Sequence, residues 1–126
     1  MSTIVLVDTS ILLNVVDVPG RNQQRVAVLK TLEQRILQRD HLFIPLAAII
    51  ETGHHIAHVA DGGLRRQAAQ RFTQAVEDAV KNIAPWKPLQ FPSNADLSAW
   101  LCAFPDSAMR QVGMGDLSIQ KEWAQL

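Results

Sequence analysis

Residues 4–7 (IVLV) are apolar at every position rather than at alternate ones. That is the pattern of a short strand covered on both faces, as in a parallel sheet. Asp8 ends the run and ILLNVV follows at residues 11–16, so a helix is predicted to start at once, capped by Thr9 or Ser10. The segment VDVPG (residues 16–20) breaks it. Over residues 21–38, apolar Val26, Leu29, Leu32, Ile36 and Leu37 recur at helical spacing among Gln, Arg and Lys. That spacing predicts an amphipathic surface helix. HLFI (residues 41–44) predicts a second strand, and Pro45 suits the first turn of the next helix, PLAAIIETGHHIAHV, which Asp61, Gly62 and Gly63 end. Residues 64–82 are rich in strong helix formers and predict a long amphipathic helix. PWKPLQFP (residues 85–92) is held extended by its prolines and has room for a third short strand. Ser93 or Asn94 caps ADLSAWLCAF, an irregular passage follows Pro105, and GMGDLSIQKEWAQL reads as a last helix with Asp116 in its first turn.

Strands that alternate with helices in this way predict an α/β layered fold around a short, mostly parallel sheet. At 126 residues with no internal repeat or linker, residues 1–126 read as a single domain. Composition changes this picture little. The apolar fraction of 48% is that of an ordinary globular chain. Twelve basic and twelve acidic residues cancel, which argues against a nucleic-acid coat protein but leaves room for an enzyme with a local basic rim. Cys102 is alone, so no disulfide framework exists and a reducing, cytoplasmic setting is expected. Asp8 interrupts the N-terminal apolar run and no basic region precedes it, so a signal peptide is not expected. No segment is long and apolar enough to span a bilayer.

The candidate chemistry lies in three acids. Ligands of open parallel sheets bind beyond the carboxyl ends of the strands, which is where Asp8 falls. Glu51 comes two turns into the helix after the second strand, directly behind LAAII, and Asp116 opens the last helix. Acids gathered at one sheet edge would repel unless a cation held them. Hard ions such as Mg²⁺ or Mn²⁺ bind a few carboxylates and keep several waters. Each acid also has an ordinary reading: Asp8 as a helix cap, Glu51 as a solvated or paired side chain, Asp116 as a partner of the helix dipole.

VDTSILL after the first strand, IPLAAIIETGHHI after the second and GMGDLSI near the end, in that order, resemble the PIN-domain family. The resemblance implies a three-layer α/β/α fold and metal-dependent ribonuclease activity, with many members acting as toxins of toxin–antitoxin pairs. Carried over by position, Asp8, Glu51 and Asp116 would be the metal-binding, catalytic acids, with Ser10 supporting the metal shell. RNA would be the substrate, Mg²⁺ or Mn²⁺ the cofactor and an antitoxin-like protein a partner. The family's usual C-terminal strands, with their Thr-x-Asp-like motif and fourth acid, have no match before Leu126. A C-terminally incomplete member is therefore expected, and its open sheet edge would favour a homo-oligomer. The alternative is an inactive PIN-like domain that serves as a protein-binding module.

Other residues stay open at this level. Glu51, His54, His55 and His58 share one helix, with Glu51 and at least two imidazoles on one face. The histidines read as a polar face beside the acids, as groups that touch a substrate phosphate or orient Glu51, or as transition-metal ligands. Arg65, Arg66 and Arg71 on the fourth helix, with Arg21, Arg25, Arg35 and Arg39 earlier, could steer RNA or simply be solvated. Trp100 and Trp123 have apolar neighbours at helical spacing and are expected in the core, while Trp86 between prolines is open. Rival active sites lack parts. A haloacid-dehalogenase-type phosphatase needs a second Asp where Ser10 stands. A receiver domain lacks its acidic pair and Lys. Neither a nucleophile elbow nor a glycine-rich phosphate loop is present.

Overall fold

Three short strands pair side by side in the order of the chain, all parallel. The computed structural model describes residues 3–126. Its elements are β1 (Ile4–Leu6), α1 (Thr9–Val15), α2 (Arg25–Leu37), β2 (His41–Ile44), α3 (Leu46–Ala57), α4 (Gly62–Val80), β3 (Trp86–Pro88), α5 (Asn94–Met109) and α6 (Met114–Ala124). The sheet order is β1-β2-β3, with Val5 opposite Leu42 and Leu42 opposite Trp86. Parallel neighbours need a crossover, and here each crossover is a pair of helices. The protein is thus a mixed α/β fold with six helices and a small open sheet among the described residues.

The sheet is covered unequally. Side chains of a strand alternate between faces. Val5, Val7, Leu42, Ile44 and Trp86 turn to the core, where they meet Leu12 and Leu13 of α1, Leu32 of α2, Ala48 and Ile56 of α3, and Ala68 and Ala79 of α4. Ile4, Leu6 and Phe43, between them, are only half-buried. The unbroken apolar run of residues 4–7 predicts burial on both faces, and only one face is fully closed.

Several element ends differ from the sequence reading, each for a local reason. Asp8, whose ordinary reading is that of a helix cap, is the N-cap of α1 in place of Thr9 or Ser10, its side chain accepting from the Ile11 N–H. Asp61 starts α4 rather than only ending α3, because its carboxylate accepts the Leu64 N–H. Ser93 caps α5 in a reciprocal capping box with Asp96. Helix α5 then runs through Pro105 to Met109 instead of stopping. The missing proline N–H leaves the Leu101 carbonyl without its helical partner, at a residue that is 54% exposed and so not desolvated by packing. Helix α2 buries only Leu32 fully, leaving Val26 and Leu37 at 84% and 76% exposure. Trp100 is buried as expected, whereas Trp123 is half-exposed.

Two arginines hold the C-terminal end of α1, whose last carbonyls have no helical partner. Arg25 Nη1 donates to the Asn14 and Val15 carbonyls at 2.7 and 2.6 Å. Arg71 donates to those of Val16 and Asp17, both at 2.8 Å. Buried Asn14 completes the junction by donating to the Ser10 carbonyl and accepting from the Gln24 N–H. These guanidiniums anchor backbone. Buried Asp40 does a similar job at the other end of β1, accepting the Thr3 N–H at 2.8 Å and pairing with Arg35 at 3.3 Å.

Thr52 in α3 is fully buried and its hydroxyl meets no partner. A desolvated, unpaired hydroxyl costs stability that an isosteric methyl does not. Thr52→Val is expected to raise the unfolding free energy by about 1 kcal/mol, read from a urea midpoint that moves up at constant slope.

Candidate functional site

The three acids enter the site from three helix beginnings or early turns. Asp8 lies just past β1, and its cap role fixes it there: Oδ1 accepts the Ile11 N–H at 3.1 Å and the Ser10 hydroxyl at 2.9 Å. Ser10 therefore touches the carboxylate that it is expected to support. Glu51 is in the second turn of α3, which Pro45 starts directly from β2. Its Oε2 accepts the Thr9 hydroxyl at 2.8 Å. From the other side the first turn of α6 comes so close that a Cβ on Gly115 would lie 2.6 Å from Glu51 Oε1. A side chain at this position would push the Glu51 carboxylate aside.

Glu51 is thus clasped between Thr9, the residue after Asp8, and Gly115, the residue before Asp116. Through Glu51, α3 meets the start of α1 beside Asp8 and the first turn of α6 beside Asp116. The carboxylates themselves are less tightly drawn in. Asp8 and Asp116 are exposed, and among the described residues no three His, Cys, Asp or Glu side chains gather closely enough to hold one ion. The donor set, carboxylates with a hydroxyl, suits a hard divalent ion.

Beside this junction α3, α5 and α6 enclose an open cavity of about 360 Å³. Its walls are mainly apolar, including Leu46, Ile50, Leu97, Trp100 and Met114, and Glu51 stands at its edge. Glu122 of α6 also lines it, with Oε2 shielded from solvent and without a donor. Burial pushes this carboxyl above its ordinary value. Sequence reasoning passed over Glu122. The available signal was spacing: Glu122 follows Gly115 by seven residues and Ser118 by four, and so shares their helix face.

The raised Glu122 pKa has a definite sign. The native state holds the proton more tightly than the unfolded chain, so stability falls as pH rises from the ordinary value of 4.5 through the native one. The cost sets in above the ordinary value and is absent in acid. Glu122→Gln is expected to be more stable than the parent at pH 7, by at most about 1 kcal/mol because much of the side chain remains in water. The two proteins should converge below about pH 4, where the parent carboxyl is protonated too. Thermal melts at both pH values measure this.

The remaining expected residues divide. His54 and His58 are exposed and their ring centroids are 4.4 Å apart. His55 is half-buried, and its pKa is lowered first by desolvation, then by Arg21 and His54, with Glu51 opposing. Arg65 Nη1 donates to the Val59 carbonyl at 2.9 Å and so ties α4 to the end of α3. Arg66 is exposed on α4. Among the described residues no helix is long and apolar enough to cross a membrane.

Comparison with protein-family models, with curated proteins and with solved structures finds no match to this chain.

Proposed function

We propose that the protein is a divalent-metal-dependent ribonuclease with a PIN-like, three-layer α/β/α fold. The observation that supports the reading is at Glu51, whose Oε2 accepts from Thr9, the neighbour of Asp8, and whose Oε1 lies against Gly115, the neighbour of Asp116. The Thr9 hydroxyl holds the Glu51 rotamer, Ser10 steadies Asp8, and Gly115 leaves the space that the Glu51 carboxylate fills. Mg²⁺ or Mn²⁺ bound by these carboxylates would supply Lewis-acid polarisation of a phosphoryl oxygen and a more acidic water for hydrolysis. RNA is the substrate class, and exposed Arg66 and the His54–His58 face are available to its phosphates. A cytoplasmic toxin with an antitoxin-like partner is the setting that this reading favours.

The test is cleavage of a single-stranded RNA by the pure protein with Mn²⁺ and with EDTA. Glu51→Gln keeps an acceptor for Thr9 and removes the charge. It is expected to lower metal-dependent cleavage by about a hundredfold or more, comparable to other losses of transition-state electrostatics. Equal cleavage by parent and variant would remove the acidic junction from the mechanism.

A second reading, an inactive PIN-like domain that binds another protein or a second copy of itself, draws on α2. Val26 and Leu37 there are 84% and 76% exposed, more apolar surface than solvent contact alone favours. Mn²⁺ binding that depends on Asp8 separates the two readings, since a binding module does not need it.

A further inference from the structure

Helix α3 carries another set of donors beyond Glu51, to which the ribonuclease reading gives only a contact with phosphate. His54 and His58 are four residues apart on its exposed side, with ring centroids 4.4 Å apart and planes inclined by 46°. Two imidazoles on one ion, at bond lengths of about 2.0–2.1 Å, set their centroids roughly 4.5 Å apart at the right angles of a tetragonal ion and roughly 5 Å apart at tetrahedral Zn²⁺. The rings already stand close to the first of these separations.

The tautomer is also set. His58 Nδ1 lies 2.8 Å from the His54 carbonyl oxygen. A carbonyl only accepts, so Nδ1 carries the proton and Nε2 keeps its lone pair. An imidazole whose other nitrogen is tied to a backbone carbonyl is the usual arrangement of a metal-ligating histidine. The pair lies at the end of α3, which closes at Ala57 with His58 as its C-cap, so the negative pole of the helix favours a cation there. Glu51 lies one turn earlier, but its Oε2 is engaged by Thr9. His55 is partly buried, 6.0 Å from His54 and within the field of Arg21. Neither belongs to the pair.

We propose that His54 and His58 form a two-nitrogen chelate for a late divalent transition ion (Zn²⁺, Ni²⁺ or Cu²⁺) separate from the carboxylate junction, with water completing the coordination. Imidazole selects these ions over Mg²⁺ and Mn²⁺. The site does not depend on the nuclease reading.

The experiment uses the full chain without a histidine tag and titrates Ni²⁺ against a chromophoric chelator. The parent should bind one equivalent saturably. His54→Ala and His58→Ala should each weaken binding by roughly tenfold or more, a loss of at least 1.4 kcal/mol. His55→Ala and Asp8→Asn should bind as the parent does. Absence of saturable binding in the parent overturns the proposal, as does equal weakening by His55→Ala. Binding lost in Asp8→Asn but kept in His54→Ala would place the ion at the carboxylates and overturn it as well. Because Asp8→Asn is measured beside the histidine variants, failure of the acidic site is read independently.

Discussion

Asp8→Asn is expected to bind no Mn²⁺ and yet to melt within about 2 °C of the parent, whereas Asp8→Ala should lose the ion and about 1 kcal/mol of stability. Asp8 caps α1, and the proposed metal site would give it a second, separable job. As the N-cap of α1 it accepts the Ile11 N–H and the Ser10 hydroxyl through Oδ1. Asparagine presents an equivalent oxygen and caps about as well, so that job survives, apart from a few tenths of a kcal/mol of charge–dipole energy. Alanine has no acceptor and gives up the cap. Metal binding needs the negative charge, which both variants lack. Calorimetric titration with Mn²⁺ and thermal melts, run on all three proteins, separate the roles. If Asp8→Asn still binds Mn²⁺ as the parent does, the acidic junction is not the metal site. If it binds no ion but also melts far below the parent, the charge has a structural role and the loss of metal says nothing about catalysis.

Ile44→Ala should cost about 2–5 kcal/mol, a large share of the 5–15 kcal/mol typical of a domain, and lower the melting temperature by about 10 °C or more. Ile44 is completely buried at the end of the central strand, where it faces the core and leads through Pro45 into the helix of Glu51. The cavity left by the truncation lies between strand and helices that cannot all close on it. Leu37→Ala should change stability by no more than about 0.5 kcal/mol, because Leu37 is 76% exposed and alanine is a good helix former. The contrast is worth measuring, since both leucine-sized side chains look equally suited to a core in the sequence. A Leu37→Ala loss as large as that of Ile44→Ala, or one that grows with protein concentration, would mean that α2 is covered by another copy of the chain.

The comparison of α2 with β2 shows why some of the fold was legible and some was not. HLFI between turn residues reads as a strand because three large apolar residues in a row have few other uses in so short a segment. The spacing in α2 correctly reports a helix. It says nothing about whether a neighbouring element lies against each apolar position, and here one lies only against Leu32 and Val28. Pro105 marks the same limit. A proline removes one hydrogen bond, and whether the helix continues depends on what surrounds the freed carbonyl.

The candidate site divides along the same line. Local chemistry in the sequence determined that Asp8 follows a strand and precedes a helix, that Glu51 lies early in a helix after an apolar run, and that Asp116 opens another, because caps, turns and periodicity act within a few residues. Tertiary structure alone decided that Thr9 and Gly115 close on the two oxygens of one glutamate, that Arg25 and Arg71 are bound to backbone carbonyls, and that one Glu122 oxygen is shielded without a donor. Those contacts join residues that are not neighbours in the chain. They depend on where whole helices settle against the sheet, and packing, unlike periodicity, is a property of pairs of surfaces that no single segment carries.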